Sequence, residues 1–584
     1  MIRPARLAVV SLPVALVFVA CSYLERSGRS AESLPRGARG GQLGSQPAPA
    51  EVVNASTEAP PPASTPPVAS PEPTVQRVPP VAHKPEAKGG EQELAKRPAG
   101  KPADLPAADE LRDGELPASG PMGGEGGNTF ARLEPNPFVA TERDRLSTFA
   151  VDVDTASYTL SRRLLREGAL PPPAAVRVEE YVNYFRYRYA PPIAGAFSVS
   201  LEGAPSPFTR GHHILRIGLQ GKVVSRSERR PANLVFLMDT SGSMSSEDRL
   251  PLAKEAVKMA VRNLNENDTV AIVTYAGSVR DVLPPTPASE QAKIVAAVDT
   301  LRSGGGTAMG SGMELAYKHA VQRARAGVVS RVIVLTDGDA NIGPSLSADG
   351  MLEVIGKYVK EGVTLSTIGF GMGNYRDALM ERLADRGNGN CFYVDGRREA
   401  QRVFEERLAG TVEVIAKDVK IQVEFNPRAV RTYRLLGYEN RDIADRDFRD
   451  DKVDAGEIGA GHTVTALYEV QLSQGATTQD ALATVRIRAK EPFGTRAFEQ
   501  SFPFGREKLR AAVGDASTDF RFALAVAGTA DILRHSNASE GWSLAQAQSL
   551  AEGAVDGLAD RKEFVSLLQR AQELWGRDRP VAGR

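Results

Sequence analysis

The chain is poor in cysteine and carries no excess of charge of either sign. Its 584 residues include two cysteines, Cys21 and Cys391, which lie far apart in different contexts and indicate no disulfide framework. Lys plus Arg and Asp plus Glu both number 72, so the formal net charge is zero. Because binding to phosphates requires a basic excess on some surface, the sequence gives no support to nucleic acid as a partner.

Several familiar catalytic and nucleotide-binding motifs are also missing. The six histidines form no His-Glu-x-x-His pattern, and neither a Gly-x-Ser-x-Gly elbow nor a Gly-Lys-Ser/Thr phosphate loop occurs. The glycine-rich stretch 369–374 ends in Asn374 where a dinucleotide fingerprint has its last glycine, so a tight strand-to-helix turn is favoured. Asp152 and Asp154 resemble the start of a phosphotransferase motif, but Ala156 breaks it, which favours a structural turn.

The N-terminus contains an apolar run that is short for a membrane span. Arg3 and Arg6 precede the 14 uncharged residues Leu7 to Ala20, a length typical of an export signal. The run ends in Phe-Val-Ala-Cys21, which resembles the lipobox of bacterial lipoproteins, with Phe18 in place of the usual Leu. This resemblance implies a signal peptide over 1–21, lipidation of Cys21 and, with Ser22 next, an outer-membrane location facing the periplasm or the surface. An ordinary signal or an uncleaved anchor is the alternative.

Composition and periodicity divide the rest of the chain into segments. Residues 22–128 are dominated by Pro, Ala and Ser with almost no aromatic residue, which predicts a disordered tether. Residues 129–228 mix helical and strand-like patterns, and in 229–410 buried strands and amphipathic helices alternate. This alternation predicts an α/β fold with a doubly wound, Rossmann-like sheet covered by helices on both faces. We predict antiparallel strands over 411–510 and helices over 511–584.

Strand-like segments stand on both sides of the α/β segment. Residues 197–219 precede it and 419–488 follow it, both with alternating apolar and polar residues. We therefore expect the two groups to pair in one antiparallel β-sandwich, with the α/β domain inserted between them. Separate sheets for the two groups would contradict this expectation.

Oxygen-bearing side chains follow three elements of the predicted α/β sheet. Asp239-Thr-Ser241-Gly-Ser243 comes directly after a buried strand, Thr307 ends a glycine-rich loop that opens a helix, and Asp337 follows another buried strand. The carboxyl ends of parallel strands meet at one edge of a sheet, where ligands of such folds bind. Carboxylate and hydroxyl oxygens suit Mg²⁺, Mn²⁺ or Ca²⁺. A helix cap that satisfies only backbone amides is the alternative, but it would not require Thr307 and Asp337.

These residues resemble the metal-ion-dependent adhesion site (MIDAS) of von Willebrand factor A domains. Residue by residue, the site's five positions are filled by Asp239, Ser241, Ser243, Thr307 and Asp337. The resemblance implies a divalent cation, most simply Mg²⁺, which a partner protein completes with a carboxylate. The stretches 146–158, 176–185 and 454–462 further resemble a bacterial family of exported A-domain lipoproteins with a C-terminal domain of unknown function.

The sequence thus predicts a non-enzymatic protein-binding module, used for adhesion or assembly and anchored to the cell envelope through an N-terminal lipid. A metal-assisted hydrolase is one alternative, with Asp339 the nearby candidate for the general base it would need. A structural envelope protein whose metal only stabilises the fold is another.

Overall fold

The computed structural model describes residues 122–123, 127–338, 348–474 and 480–578. All of them lie in the compact unit Asp109–Arg584. The predicted signal peptide, Cys21 and nearly all of the predicted tether lie outside the described residues, as does Asp339. Within the described part, no helix is both long and apolar enough to cross a membrane.

The strands of the described residues are numbered along the chain. They are β1 Met122–Gly123, β2 Thr129–Phe130, β3 Val139–Ala140, β4 Leu146–Ala150, β5 Phe197–Pro205, β6 His212–Gly221, β7 Ala232–Asp239, β8 Thr269–Tyr275, β9 Val279–Pro287, β10 Val329–Thr336, β11 Val363–Phe370, β12 Cys391–Val394, β13 Val414–Phe425, β14 Val430–Leu436, β15 Gly456–Gly459, β16 Thr463–Leu472, β17 Ala483–Lys490 and β18 Ala497–Phe504.

The α-helices are numbered in the same way. They are α1 Ala156–Glu167, α2 Val178–Tyr184, α3 Leu250–Arg262, α4 Gln291–Asp299, α5 Met309–Val321, α6 Ala348–Lys360, α7 Asp377–Arg386, α8 Arg397–Gln401, α9 Leu408–Val412, α10 Thr518–Leu533, α11 Leu544–Glu552 and α12 Ala559–Asp578.

The α/β segment forms a six-stranded sheet in the order β12-β11-β10-β7-β8-β9. Its strands are parallel except β9, which pairs antiparallel with β8. The central strand β7 is buried along its whole length, and its side chains alternate between two cores. Phe236 packs in the core that contains residues of α3, whereas Leu237 packs in the core that contains residues of α5. Helices therefore cover both faces, which confirms the predicted doubly wound fold.

The flanking strands form two further sheets that pack face to face. One has the order β3-β14-β16-β6-β5, so strands from before and after the α/β segment share a sheet. The other has the order β15-β13-β17-β18, with β4 also paired to β13. Ile217 from the first sheet and Ile421 from the second belong to one hydrophobic core. The predicted sandwich with an inserted α/β domain is confirmed.

The C-terminal helices pack on helices from the N-terminal part of the chain. Phe185, which directly follows α2, makes edge-to-face contacts with Tyr158 of α1, Phe522 of α10 and Phe564 of α12, at centroid distances of 5.1, 4.9 and 5.4 Å. These aromatic contacts are the centre of one buried cluster. Residues far apart in sequence therefore build a single helical layer beside the sandwich.

The structure differs from the sequence-based prediction at two places in the α/β domain. Strand β9 was not predicted, because its three prolines, Pro284, Pro285 and Pro287, are typical of loops. The strand accommodates them because it lies at the edge of the sheet, where one side needs no ladder partner. Where the alternation of strands and helices predicts one helix after β12, the structure has two, α8 and α9, divided by a π-helical turn, Arg402–Glu406.

Candidate metal centre

Two acids lie side by side at the carboxyl edge of the six-stranded sheet. Asp239 is the last residue of β7, and Asp337 directly follows β10, which is the neighbouring strand. Leu335 pairs with Met238, so the parallel register brings Thr336 beside Asp239. Both carboxyl-bearing residues are buried, with exposed fractions of 0% and 1%.

The loop after β7 is held around the carboxylate of Asp239. The backbone N–H of Ser241 donates to one carboxylate oxygen of Asp239 at 2.8 Å, and the Thr336 hydroxyl donates to the other at 2.8 Å. The hydroxyl oxygens of Ser241 and Ser243 are 3.0 Å apart. Because Gly242 separates the two serines, one short turn brings both hydroxyls to the same place.

The glycine-rich loop before α5 is joined to this turn through its backbone. Gly242 N–H donates to Gly305 O at 3.1 Å, and Gly304 N–H donates to Thr240 O at 2.8 Å. Gly305 has a φ of +87°, a conformation that other residues rarely adopt. Thr307, the predicted donor from this loop, follows two residues later and is partly buried.

The site concentrates negative charge in a buried place. Burial raises the pKa of the Asp239 carboxyl above its ordinary value, hydrogen bonds from Ser241 and Thr336 oppose the rise, and the nearby Asp337 carboxyl adds to it. Two adjacent buried acids are destabilised by mutual repulsion and by loss of hydration. A cation between them would relieve both effects, so the electrostatics favour positive charge at this position.

Sequence reasoning missed one residue that contacts the site. Arg249, directly before α3, donates from Nη1 to the Ser243 carbonyl oxygen at 2.6 Å and to Asp337 Oδ2 at 2.8 Å. Its Nη2 donates to the carbonyl oxygen of Met372, in the glycine-rich turn after β11, at 2.5 Å. The sequence carried no signal for this role, because a charged residue at the start of a surface helix is common.

The donor set fits a small divalent ion. Neighbouring oxygens in an octahedral Mg²⁺ shell, each about 2.1 Å from the ion, stand about 3 Å apart. The Ser241 and Ser243 hydroxyls form a hydrogen bond with an O···O distance of 3.0 Å, a spacing that two neighbouring ligands of such an ion can keep. Among the described residues, no group of three or more His, Cys, Asp or Glu side chains is placed to hold a metal, at this site or elsewhere. The candidate site contains only two such side chains, and its other three predicted donors are hydroxyls.

The acids Asp152 and Asp154 have the structural role that the sequence favoured. Asp154 Oδ1 accepts a hydrogen bond from the Cys391 N–H at 2.9 Å, and both carboxylates pair with Arg441 at 3.3 Å. Cys391 is buried at the start of β12. These residues join the sandwich to the α/β domain and lie outside the candidate metal centre.

Comparison with known proteins divides the chain in the same way. Residues 233–406 match the von Willebrand factor type A domain, residues 125–216 match a family described as von Willebrand factor, and residues 410–574 match the C-terminal region of "Uncharacterized protein YfbK". The chain is 39% identical over 471 residues to YfbK of Escherichia coli (strain K12), covering 76% of this chain and 80% of that protein.

Two more distant similarities were also found. "Uncharacterized protein sll0103" of Synechocystis is 24% identical over 283 residues, which covers 48% of this chain and 66% of that protein. A solved structure described as von Willebrand factor type A from Catenulispora acidiphila is 18% identical, with a TM-score of 0.40, and covers 66% of this chain and 91% of that one.

Proposed function

The chain belongs to the family of the Escherichia coli protein YfbK and contains a von Willebrand factor type A domain, a domain type that generally mediates protein–protein interaction. From this premise we propose that the protein is an envelope-tethered binding module whose A domain grips a protein ligand through a divalent metal ion. The proposed metal ligands are Asp239, Ser241, Ser243, Thr307 and Asp337, and the proposed ion is Mg²⁺, with Mn²⁺ or Ca²⁺ as substitutes.

One observation carries the proposal: two buried acids and a pair of serine hydroxyls converge at the carboxyl edge of the sheet. The hydroxyl oxygens are 3.0 Å apart, and Asp239 and Asp337 are almost inaccessible to solvent. A protein that needed these groups only for its fold would more economically bury apolar side chains there, because buried acids lose hydration. A bound cation would offset the free-energy cost of burying these two acids.

The chemistry of the donors also indicates the ligand. Three hydroxyls and two carboxylates supply five oxygens, whereas Mg²⁺ prefers six. A sixth oxygen from outside would complete the coordination, and a negatively charged one would also balance the Arg249 guanidinium, since the two carboxylates alone offset the charge of Mg²⁺. We therefore propose that the partner protein presents an Asp, a Glu or a C-terminal carboxylate.

The envelope tether is proposed from the N-terminal sequence. The apolar run up to Ala20, followed by Cys21, would be processed and acylated, and the Pro-rich stretch after it would separate the folded part from the membrane. Radiolabelled palmitate should enter the full chain in a bacterial host and be lost in Cys21→Ser. Labelling that survives this substitution would remove the lipid anchor from the proposal.

Metal binding is the first test. Isothermal titration of the purified protein with MgCl₂ and MnCl₂ should show one site, which Asp239→Ala and Ser243→Ala abolish or weaken strongly. Asp451→Asn is the control, because Asp451 pairs with Arg488 in the sandwich and should leave the titration unchanged. A wild-type protein that binds neither ion at millimolar concentration would refute the metal-dependent function.

Partner binding is the second test. Envelope proteins cross-linked to the wild type in Mg²⁺ should be lost with a chelator or in Asp239→Ala, and should persist in Asp451→Asn. Blocking the partner's carboxyl groups with a carbodiimide and an amine should have the same effect as the chelator. If Ser243→Ala lowers thermal stability while capture stays unchanged, the metal is structural rather than a bridge.

The same preparations test the hydrolase alternative. A hydrolase would need a general base beside the ion, for which the sequence offers Asp339, a residue outside the described part of the chain. A binding module should release no product from generic ester, phosphate or peptide substrates. Mg²⁺-dependent hydrolysis that disappears in Asp239→Ala would replace the binding function with an enzymatic one.

A further inference from the structure

The arginine beside the candidate metal centre already occupies one carboxylate oxygen of a proposed metal ligand. Arg249 Nη1 is 2.8 Å from Asp337 Oδ2, and Asp337 is one of the proposed ligands. The Arg249 side chain is 13% exposed and that of Asp337 is 0% exposed, so the ion pair is shielded from solvent. Shielded charges interact more strongly than charges in water, and a second cation close by would be repelled.

Arg249 is held in this position by more than its charge. The same Nη1 donates to the Ser243 carbonyl oxygen at 2.6 Å, which ties the arginine to the loop that carries both serine hydroxyls. Nη2 donates to Met372 O, and a β-carbon at the adjacent Gly371 would collide with the Arg249 side chain. The guanidinium is thus fixed between two loops at the site's rim.

The local charges explain what this arrangement does. Without a metal, the guanidinium offsets part of the charge of Asp239 and Asp337, so two acids face one cation. A bound divalent ion would place three positive charges against the same two acids. A site designed only for tight metal binding would have no cation at that position.

We propose that Arg249 is a built-in counter-cation that competes with the divalent ion for Asp337 and so holds the metal affinity of the site down. This inference rests on the proposed function, since it concerns the same metal centre. The site then has two states, one closed by its own arginine with one net negative charge and one occupied by the ion with one net positive charge. The A domain would engage its partner when the divalent ion is abundant and release it when the ion is depleted.

The test is a comparison of metal affinity between variants of the full folded protein. Titration with MnCl₂, followed by calorimetry and by the electron paramagnetic resonance of free Mn²⁺, should give Arg249→Gln an affinity about tenfold higher than wild type or more, equivalent to about 1.4 kcal/mol. Arg249→Lys keeps the charge and should stay within a few-fold of wild type. Arg262→Gln, at the far end of α3, is the matched control.

Thermal melting supplies a second readout that does not depend on partner binding. In chelator, Arg249→Gln should melt below wild type because Asp337 loses its counter-ion, and Mn²⁺ should raise its melting temperature more than it raises that of wild type. Unchanged or weaker Mn²⁺ affinity in Arg249→Gln would overturn the inference while leaving the proposed function intact. Absence of Mn²⁺ binding in both proteins would overturn both.

Discussion

Removing Arg441 should destabilise the junction between the sandwich and the α/β domain. Its guanidinium pairs with Asp152 and Asp154 at 3.3 Å, and with Asp385 at 2.5 Å and Glu381 at 3.7 Å, both on α7. The Arg441 side chain is only 12% exposed. Arg441→Met keeps much of the apolar volume but leaves four acids facing one another without this cation.

The magnitude follows from the burial of the pairs. Breaking a buried ion pair by removing one partner costs about 3–5 kcal/mol, because the remaining charges are unpaired and poorly hydrated. Arg449→Met is the matched control: Arg449 pairs with Glu499 at 2.9 Å but is 64% exposed. Exposed pairs contribute about 0–1 kcal/mol, so this variant should melt close to wild type.

The loss of stability on removing Arg441 should also depend on pH. Burial raises the pKa of Glu381 from 4.5 to about 7, and burial raises that of Asp154 well above its ordinary value. A raised folded-state pKa means that the folded protein holds the proton more tightly, so this contribution to stability is present below pH 4.5 and is lost as the pH rises through about 7. Without Arg441, the acids should favour the protonated form still more strongly.

Thermal unfolding followed by circular dichroism, at about pH 5 and at about pH 8.5, measures both effects. We expect Arg441→Met to lower the melting temperature by several degrees at the higher pH and by clearly less at the lower pH. Arg441→Lys should recover part of the loss, since it restores the charge. An equal loss at both pH values, or a loss no larger than that of Arg449→Met, would refute this account of the junction.

Two further substitutions test the site and the helical layer. Gly338→Ala should lower the free energy of unfolding by about 1–3 kcal/mol, because Gly338 has a φ of +83° and a β-carbon there would lie 2.7 Å from a backbone nitrogen. It should also weaken Mn²⁺ binding, because Asp337 directly precedes Gly338. The control is Gly514→Ala, whose β-carbon would enter open space and should change neither the melting temperature nor the titration. Ser517→Ala should lower the free energy of unfolding by about 1 kcal/mol and speed amide hydrogen exchange at the start of α10. The reason is that the Ser517 hydroxyl caps that helix and donates to Glu202 at 2.6 Å. Unchanged exchange would show that the cap is dispensable.

The sequence predicted best those elements whose burial leaves a clear periodic pattern. The strands Thr269–Tyr275 and Thr463–Leu472 lie within the segments predicted to hold buried strands and antiparallel strands, respectively. Edge strands gave a weaker signal, as in β9 and β18. Both contain proline and are only partly buried, because an edge strand needs neither a complete ladder nor two apolar faces.

Long-range packing was predictable only in outline. The placement of strand-like segments on both sides of the α/β domain indicated the sandwich. The contact of α1 and α2 with α10 and α12 had no such signal. Helical periodicity shows which face of a helix is apolar, but not which of several apolar faces it meets.

At the candidate metal centre, too, residues in a local motif could be predicted, whereas a residue that only the fold brings close could not. The spacing of Asp239, Ser241 and Ser243 is local and could be recognised, and the order of strands brought Asp337 to the same edge. Arg249 lies six residues beyond Ser243, in a helix start where arginine is ordinary, and it reaches the site only because the loop folds back. A motif records the groups that attract a cation. The group that competes with the cation lies outside the motif and is brought to the site only by the fold. The metal affinity of such a site therefore cannot be inferred from its motif.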